Sequence, residues 1–423
     1  MLDPQELARA AWPARCVLDE RPMREQFWLS GAVFHVLLCA FIGVQLRRRS
    51  ASLARGERPS RGLVADGFVF AAVTLILAWL GAAFVTPMSP FTVLRLLAQA
   101  LFGEALVYAA ALGWILRCYA HTRWAAGLAA LSVAGLAVYW QAYHREPKNL
   151  QVSAHEVDLA HGRPAGHLRI LHLTDLQTHW IGAYEDHAIR KALAQKPDLI
   201  VMTGDYIQPR LEPTRSRATR DLKALLRRRH FQAPLGVYAV RGDVDSDWPG
   251  VLAGTGVRTL TGEVARIPLP EGGTLSVVGL TVAMSRGQAD GRMLDFLRQV
   301  PDDDLRIVIG HQPNFVTALA GKVPLDLALA GHTHGGQVVL PFFGAPITKT
   351  RLPRRFASGL GDYEGVPLHV SAGVGMERGT APQIRFLCPP EICVLDLRYA
   401  RRAPGAVIAR SGGLVATVPL ENP

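Results

Sequence analysis

The chain of 423 residues carries 46 Lys and Arg against 35 Asp and Glu, a formal charge of +11 with an isoelectric point near 9.8. Hydrophobic residues make up 49% and the mean hydropathy is +0.16, more apolar than a soluble chain of this length requires. Five cysteines are too few for a disulfide framework, and the arginines are scattered or flank apolar segments without a basic-aromatic platform, so no nucleic-acid partner is expected.

Residues 1–26 form a polar segment of mixed charge, which brings the first apolar run too late for a cleavable signal peptide. Four apolar segments fill residues 27–143: about Phe27 to Leu46, Leu63 to Val85, Phe91 to Leu116 and Trp124 to Tyr143. Each is long enough to cross roughly 30 Å of hydrocarbon as a helix. The loop after the first holds Arg47, Arg48, Arg49, Arg55, Arg58 and Arg61, whereas Thr86-Pro87-Met88-Ser89-Pro90 after the second has no charge. Arg117 and Arg123 lie on the same side as the arginine loop, which the positive-inside rule assigns to the cytoplasm. The expectation is an integral protein of the inner or plasma membrane with everything after Tyr143 extracytoplasmic. Arg95 is expected to snorkel to the interface, and Glu104, in mid-span, to act as a packing residue between helices.

Residues 144–167 read as linker and domain entry, residues 168–398 as an α/β domain, and residues 399–423 as a basic, then mildly apolar tail without an assigned role. Strands are predicted at Leu168 to Thr174, Asp198 to Thr203, Gly236 to Arg241, Thr274 to Thr281, Arg306 to Gly310, Leu325 to Ala330, Leu368 to Ala372 and Ile392 to Leu397. Helical spacing covers Tyr184 to Gln195, Ala218 to Arg229, Met293 to Val300 and Asn314 to Ala320.

Open α/β sheets place their sites at the carboxyl ends of the strands, so the residues just beyond each strand carry the information. They are Asp175-Leu176-Gln177, Gly204-Asp205-Tyr206, Gly242-Asp243-Val244-Asp245, Gly310-His311-Gln312 and Gly331-His332-Thr333-His334. Any one Gly-Asp pair is ordinary turn chemistry. Five strand ends that deliver carboxylates or imidazoles to one edge describe a metal site. The mixed donor set suits Mn, Fe or Zn rather than Ca or Mg, with groups enough for two ions.

This order of motifs resembles the calcineurin-like metallophosphoesterase superfamily. Together with His334-Gly335-Gly336-Gln337 and the closing Ile384-Arg385-Phe386-x-Cys388-Pro389-Pro390-Glu391-Ile392, it looks like the bacterial membrane-associated phosphodiesterase branch. The resemblance implies a two-sheet β-sandwich flanked by helices. The expected fold class is therefore an α-helical transmembrane N-terminal region of four helices followed by an α/β metallophosphoesterase domain. It also implies two divalent metal ions: Asp175 and His334 on the first, Asp205 bridging, and Asp243, His311 and His332 on the second. Two cations about 3.5 to 4 Å apart bind phosphate oxygens and activate a water for in-line displacement.

Two departures from the family pattern bear on catalysis. Gln177 stands where the family has a histidine ligand, and either Gln177 itself or His179 is left to complete the first ion's shell. Val244 stands where the family has the histidine that meets substrate phosphate, which leaves His179 or Arg241 to supply a proton or a charge. The candidate catalytic groups are accordingly Asp205, Asp243, His179 and Arg241. The expected function is a membrane-anchored phosphoesterase that cleaves a phosphodiester or pyrophosphate bond by metal-activated hydroxide. Its expected partners are the membrane and a phosphorylated small-molecule or lipid substrate of the cell envelope. The alternative is a degenerate receptor or scaffold that retains a phosphate- or metal-binding domain. Cys388 and Cys393 are near enough in sequence to pair in an oxidising compartment or to remain two thiols beside the last strand.

Overall fold

The computed structural model describes residues 106–118, 122–160, 165–208, 212–287, 291–378 and 381–400, with isolated positions between 44 and 102. The predicted span 63–85, nearly all of 27–46, part of 91–116, Glu104, and the tail beyond residue 400 lie outside the described residues. Two compact units divide the chain, Met1–Leu136 and Ala137–Pro423. Ahead of the α/β domain run α1 (Leu106–Cys118) and α2 (Thr122–Trp140). Among the described residues one helical stretch, Thr122–Lys148, is long and apolar enough to cross a membrane. It corresponds to the fourth predicted span, and its Trp124, Leu131, Val133 and Trp140 are exposed.

The second unit contains two six-stranded mixed sheets. The first sheet uses β1 (Gln151–Ala160), β2 (Gly166–Leu173), β3 (Leu199–Met202), β4 (Val237–Val240), β5 (Arg258–Leu260) and β12 (Glu391–Ala400), in the order β1-β12-β2-β3-β4-β5. The second uses β6 (Glu263–Pro268), β7 (Thr274–Gly279), β8 (Leu305–Ile309), β9 (Leu327–Ala330), β10 (Gly359–Tyr363) and β11 (Val366–Val370), in the order β10-β11-β9-β8-β7-β6. Strands β2 to β5 run parallel, as do β7, β8, β9 and β11, while β12 against β2, β6 against β7 and β10 against β11 are antiparallel. The central strands Leu199-Ile200-Val201-Met202 and Leu327-Ala328-Leu329-Ala330 are buried on both faces, as continuous apolar runs in parallel sheets must be.

Alternation along each strand sorts side chains into three cores. Leu199, Val201, Ile307, Leu327 and Leu329 fill the space between the sheets. Ile200 and Met202 point the other way, against α3 (Ala183–Leu193) and α4 (Thr214–Arg228). Val308, Ala328 and Ala330 face α6 (Gly291–Arg298) and α7 (Phe315–Leu319), and a single turn, α5 (Val282–Ser285), follows β7. All eight predicted strands and all four predicted helices are present, with ends shifted by a few residues.

Four strands had escaped the sequence reading, namely β1, β5, β6 and β10. The stretch 144–167, read as linker and domain entry, carries β1, which pairs in parallel with the last strand from Gln151↔Glu391 to Ala160↔Ala400. Its signal is a strict alternation in which His155, Val157 and Leu159 are buried while Glu156 and Asp158 are exposed. Short, polar β5 and β10 are edge strands, and they lack the apolar runs that marked the others.

Arg385 explains part of the closing motif. Its guanidinium is fully buried and donates to the carbonyls of Ala372, Gly375 and Cys388 at 2.6–3.0 Å and of Gly373 at 3.2 Å. That clamps the loop after β11, whose Val374 and Gly375 amides donate to the carbonyls of Thr174 and Asp175. Arg385→Met removes five donors from carbonyls that no water reaches, so we expect a loss of about 3 kcal/mol, or roughly 6 to 12 °C in melting temperature. Thermal unfolding of the purified chain checks this, and an unchanged midpoint contradicts the clamp.

Candidate metal centre

The carboxyl ends of β2, β3 and β4 in one sheet and of β8 and β9 in the other converge on one edge of the sandwich, and each delivers its predicted motif there. The chain reverses abruptly at these ends. Asp175, Gln177, Asp205, His332 and His334 all have positive φ, between 37° and 70°. Non-glycine residues hold that conformation only where the surroundings enforce it, and such residues gather at functional sites. Glycines make the convergence possible. A Cβ on Gly242 would lie 2.0 Å from Asp205 Oδ1, and one on Gly331 would lie 2.2 Å from Asp175 Oδ2.

Two overlapping groups of donors result. Asp243, His311 and His332 bring one ligand atom each within 4.8 Å of the others, as do Asp175, Asp205 and His311. His311 Nδ1 donates to the Thr203 carbonyl at 2.9 Å, which turns Nε2 toward Asp205 Oδ2 at 3.4 Å and Asp243 Oδ1 at 3.7 Å. His332 Nδ1 lies 3.3 Å from Asp243 Oδ2, and His334 Nε2 lies 3.6 Å from Asp175 Oδ1. The second ring nitrogen fixed by a carbonyl, as in His311, is the usual means of orienting a metal-binding imidazole.

The electrostatics point the same way. Burial pushes the Asp175 carboxyl up to about 7, and burial with the neighbouring Asp243 charge also raises Asp205. Burial likewise holds His332 and His334 well below the normal imidazole range, as neutral donors. For Asp243 burial acts upward, but His311, His332 and Lys349 outweigh it and keep the carboxylate charged. Both ring nitrogens of buried His334 and Oε1 of buried Gln177 have no hydrogen-bond partner. Buried carboxylates beside neutral imidazoles with unused lone pairs fit divalent cations, which supply the charge and the acceptor this pocket lacks.

The departing positions are resolved in geometry. Gln177 does reach the centre, with Nε2 3.2 Å from Asp205 Oδ2. His179 is half-buried with its ring edge-on to Trp180 and belongs to neither donor group. Arg241 is exposed and donates from Nε to the Asp245 carbonyl at 3.1 Å, as a brace of the third loop. Val244 is buried, and its amide donates to Asp205 Oδ1 at 3.0 Å.

Two functional groups had escaped the sequence reading. Asp245 was read only as part of a motif. Its carboxylate accepts from the amides of Asp205, Tyr206 and Gly242 at 2.7–2.9 Å, so it sews the second loop to the third. Lys349 lies in a loop with no strand end to announce it, and its Nζ is 3.4 Å from Glu377 Oε2. Burial opposes its charge, but Glu377, Asp243 and Asp205 outweigh that and hold the ammonium charged. Glu377 in turn accepts from Gln177 and Gln208. Cys388 and Cys393 are both free, buried thiols, so the pairing reading is set aside.

Residues 168–336 match the family model described as calcineurin-like phosphoesterase. The chain is 28% identical over 271 residues to the metallophosphoesterase YkuE of Bacillus subtilis, covering 62% of this chain and 90% of that one. It is 28% identical over 226 residues to the phosphodiesterase YaeI of Escherichia coli, covering 50% and 74%. With the UDP-2,3-diacylglucosamine pyrophosphatase LpxG of Chlamydia trachomatis it shares 26% identity over 337 residues, covering 65% and 97%. Residues 168–336 thus form a calcineurin-like metallophosphoesterase domain, and the chain that carries it is a metal-dependent phosphoric ester hydrolase.

Proposed function

We propose that this hydrolase is membrane-anchored, uses two divalent ions of Mn, Fe or Zn, and cleaves a phosphodiester or pyrophosphate bond in a lipid-linked or cell-envelope substrate. The observation that carries the dinuclear reading is the overlap of two donor groups, Asp175, Asp205 and His311 beside Asp243, His311 and His332, with Asp205 Oδ2 3.4 Å from the shared His311. Asp175, Gln177 and His334 would hold the first ion, Asp205 both, and Asp243, His311 and His332 the second. Bound divalent cations supply Lewis acidity toward phosphate oxygens and lower the pKa of water.

The chain's own residues set what such a centre can attack. Val244 offers no proton to a leaving group, a deficit of about 10²- to 10⁴-fold against an enzyme with a positioned acid. That favours leaving groups stable as anions, such as a nucleoside phosphate released from a pyrophosphate. Lys349 supplies a fixed positive charge beside Asp243 and Asp205, suited to a substrate phosphate oxygen where the family's imidazole is missing. His179 and Arg241 are less suited, since one lies against Trp180 and the other is tied to the Asp245 carbonyl. The likeness to a pyrophosphatase that acts on a nucleotide-linked lipid, and the apolar helix immediately before the domain, support a substrate at the bilayer.

Purified chain loaded with Mn is expected to hydrolyse an activated bis-phosphodiester and a nucleotide-linked pyrophosphate. Asp205→Asn should reduce turnover by at least about 10³-fold through loss of both ions, and Lys349→Met should raise KM or lower kcat by about 10- to 100-fold. Absence of turnover with any divalent metal, in folded chain that binds metal, would instead favour the receptor or scaffold reading. Orientation is tested separately. A reporter active only outside the cytoplasm, fused after the last residue, should be active, and a cytoplasmic signal overturns the extracytoplasmic assignment.

A further inference from the structure

A second set of metal-type donors, sharing no residue with the centre described above, lies inside the sandwich. His155 on β1, His369 on β11, and Glu391 and Cys393 on β12 place one ligand atom each within 4.8 Å of one another. His155 and His369 are buried, Cys393 is fully buried, and Cys393 is part of the apolar core between the sheets. Five donor-bearing side chains in this region, counting His172 on β2, interrupt a core built mainly of Leu, Ile and Val.

Unsatisfied polar atoms show why apolar packing alone does not account for them. Both ring nitrogens of His155 and Nε2 of His369 have no partner. Buried polar atoms are almost always satisfied, and three orphaned nitrogens in one cluster mark a missing ligand. The rest of the cluster is arranged as outer support. His369 Nδ1 meets His172 Nδ1 at 2.9 Å, and His172 Nε2 meets Thr203 Oγ1 at 2.9 Å, which fixes the His369 ring with Nε2 directed away from His172. The Glu391 carboxylate is held by Ser153, by Ser371 Oγ at 3.1 Å and by the Ala372 amide at 2.9 Å, with lone pairs to spare.

We propose that His155, His369, Glu391 and Cys393 form a buried structural zinc site that staples the first and last strands of one sheet to β11 of the other. One thiolate, two imidazoles and one carboxylate match tetrahedral zinc coordination, and a thiolate disfavours Mg and Ca. Ligand bonds of about 2.0 to 2.3 Å set tetrahedral donors roughly 3.5 Å apart, so donors within 4.8 Å of one another need only side-chain adjustment to close on an ion. Burial holds His369 neutral, pushed down to about 4, and pushes the Cys393 thiol up; zinc would bind the first as it stands and displace the proton of the second. The site also supports the catalytic edge. Thr203, at the far end of the His369–His172 relay, is the residue whose carbonyl orients His311.

The sites are separable because the catalytic donors include no cysteine. In full chain carrying Asp205→Asn, exhaustively treated with chelator, we expect one zinc per chain by elemental analysis, lost on the further change Cys393→Ser. Natural chain produced in zinc-depleted, cobalt-supplemented medium, with cobalt in place of zinc confirmed by elemental analysis, should show a near-ultraviolet thiolate-to-cobalt band, absent from Cys393→Ser and retained by Cys388→Ser. If Cys393→Ser fails to fold, His155→Gln, which leaves the thiol in place, should still lower zinc content and shift the cobalt spectrum. Metal-free Asp205→Asn chain, or cobalt-loaded natural chain without the thiolate band, overturns the proposal.

Discussion

Asp205 is held from every side, and that constraint organises the catalytic edge. Its amide donates to Asp245, its carbonyl accepts from Gln177, one carboxylate oxygen accepts from Val244, and the other faces Gln177 and His311. The residue is buried with φ at 57°, a conformation that a non-glycine residue keeps only where its surroundings enforce it. Strands from two different sheets must therefore end in register for this one carboxylate to be surrounded. Gly242 and Gly331 are the points at which they come too close for any side chain.

Much of this was legible in the chain. A strand that ends in Gly-Asp or Gly-His leaves a one-dimensional trace, because a buried apolar run must stop where the chain turns at the sheet edge. Asp175, Asp205, Asp243, His311, His332 and His334 were found that way, and the structure brings them together. The groups that left no trace act through tertiary contacts. Lys349 approaches the centre from a loop, Asp245 accepts amides from two loops, and Arg385 works through the carbonyls of a third. Nothing in local spacing encodes those partners. Strand β1 was missed for another reason, since a strand half-exposed at a sheet edge reads as polar linker unless its alternation is followed residue by residue.

The substitutions at Gln177 and Val244 have different consequences. Gln177 keeps a polar side chain beside Asp205, with Oε1 unpartnered, so under the proposed assignment a weaker amide oxygen would replace an imidazole without emptying the position. Val244 keeps only its backbone amide on Asp205, so in the proposed mechanism the substrate-facing function would fall to another residue. Lys349, held charged by three carboxylates, would in the proposed mechanism take the electrostatic part of that function and not the proton transfer. Under the proposed function, such a centre would discriminate by leaving group, favouring pyrophosphates over simple alkyl esters.

The central claim is that five strand ends assemble one site for two ions. Low-temperature electron paramagnetic resonance of the chain loaded with two equivalents of Mn tests it most directly. Ions sharing Asp205 should give an exchange-coupled multiline spectrum. A six-line spectrum of isolated Mn at full occupancy would contradict the account.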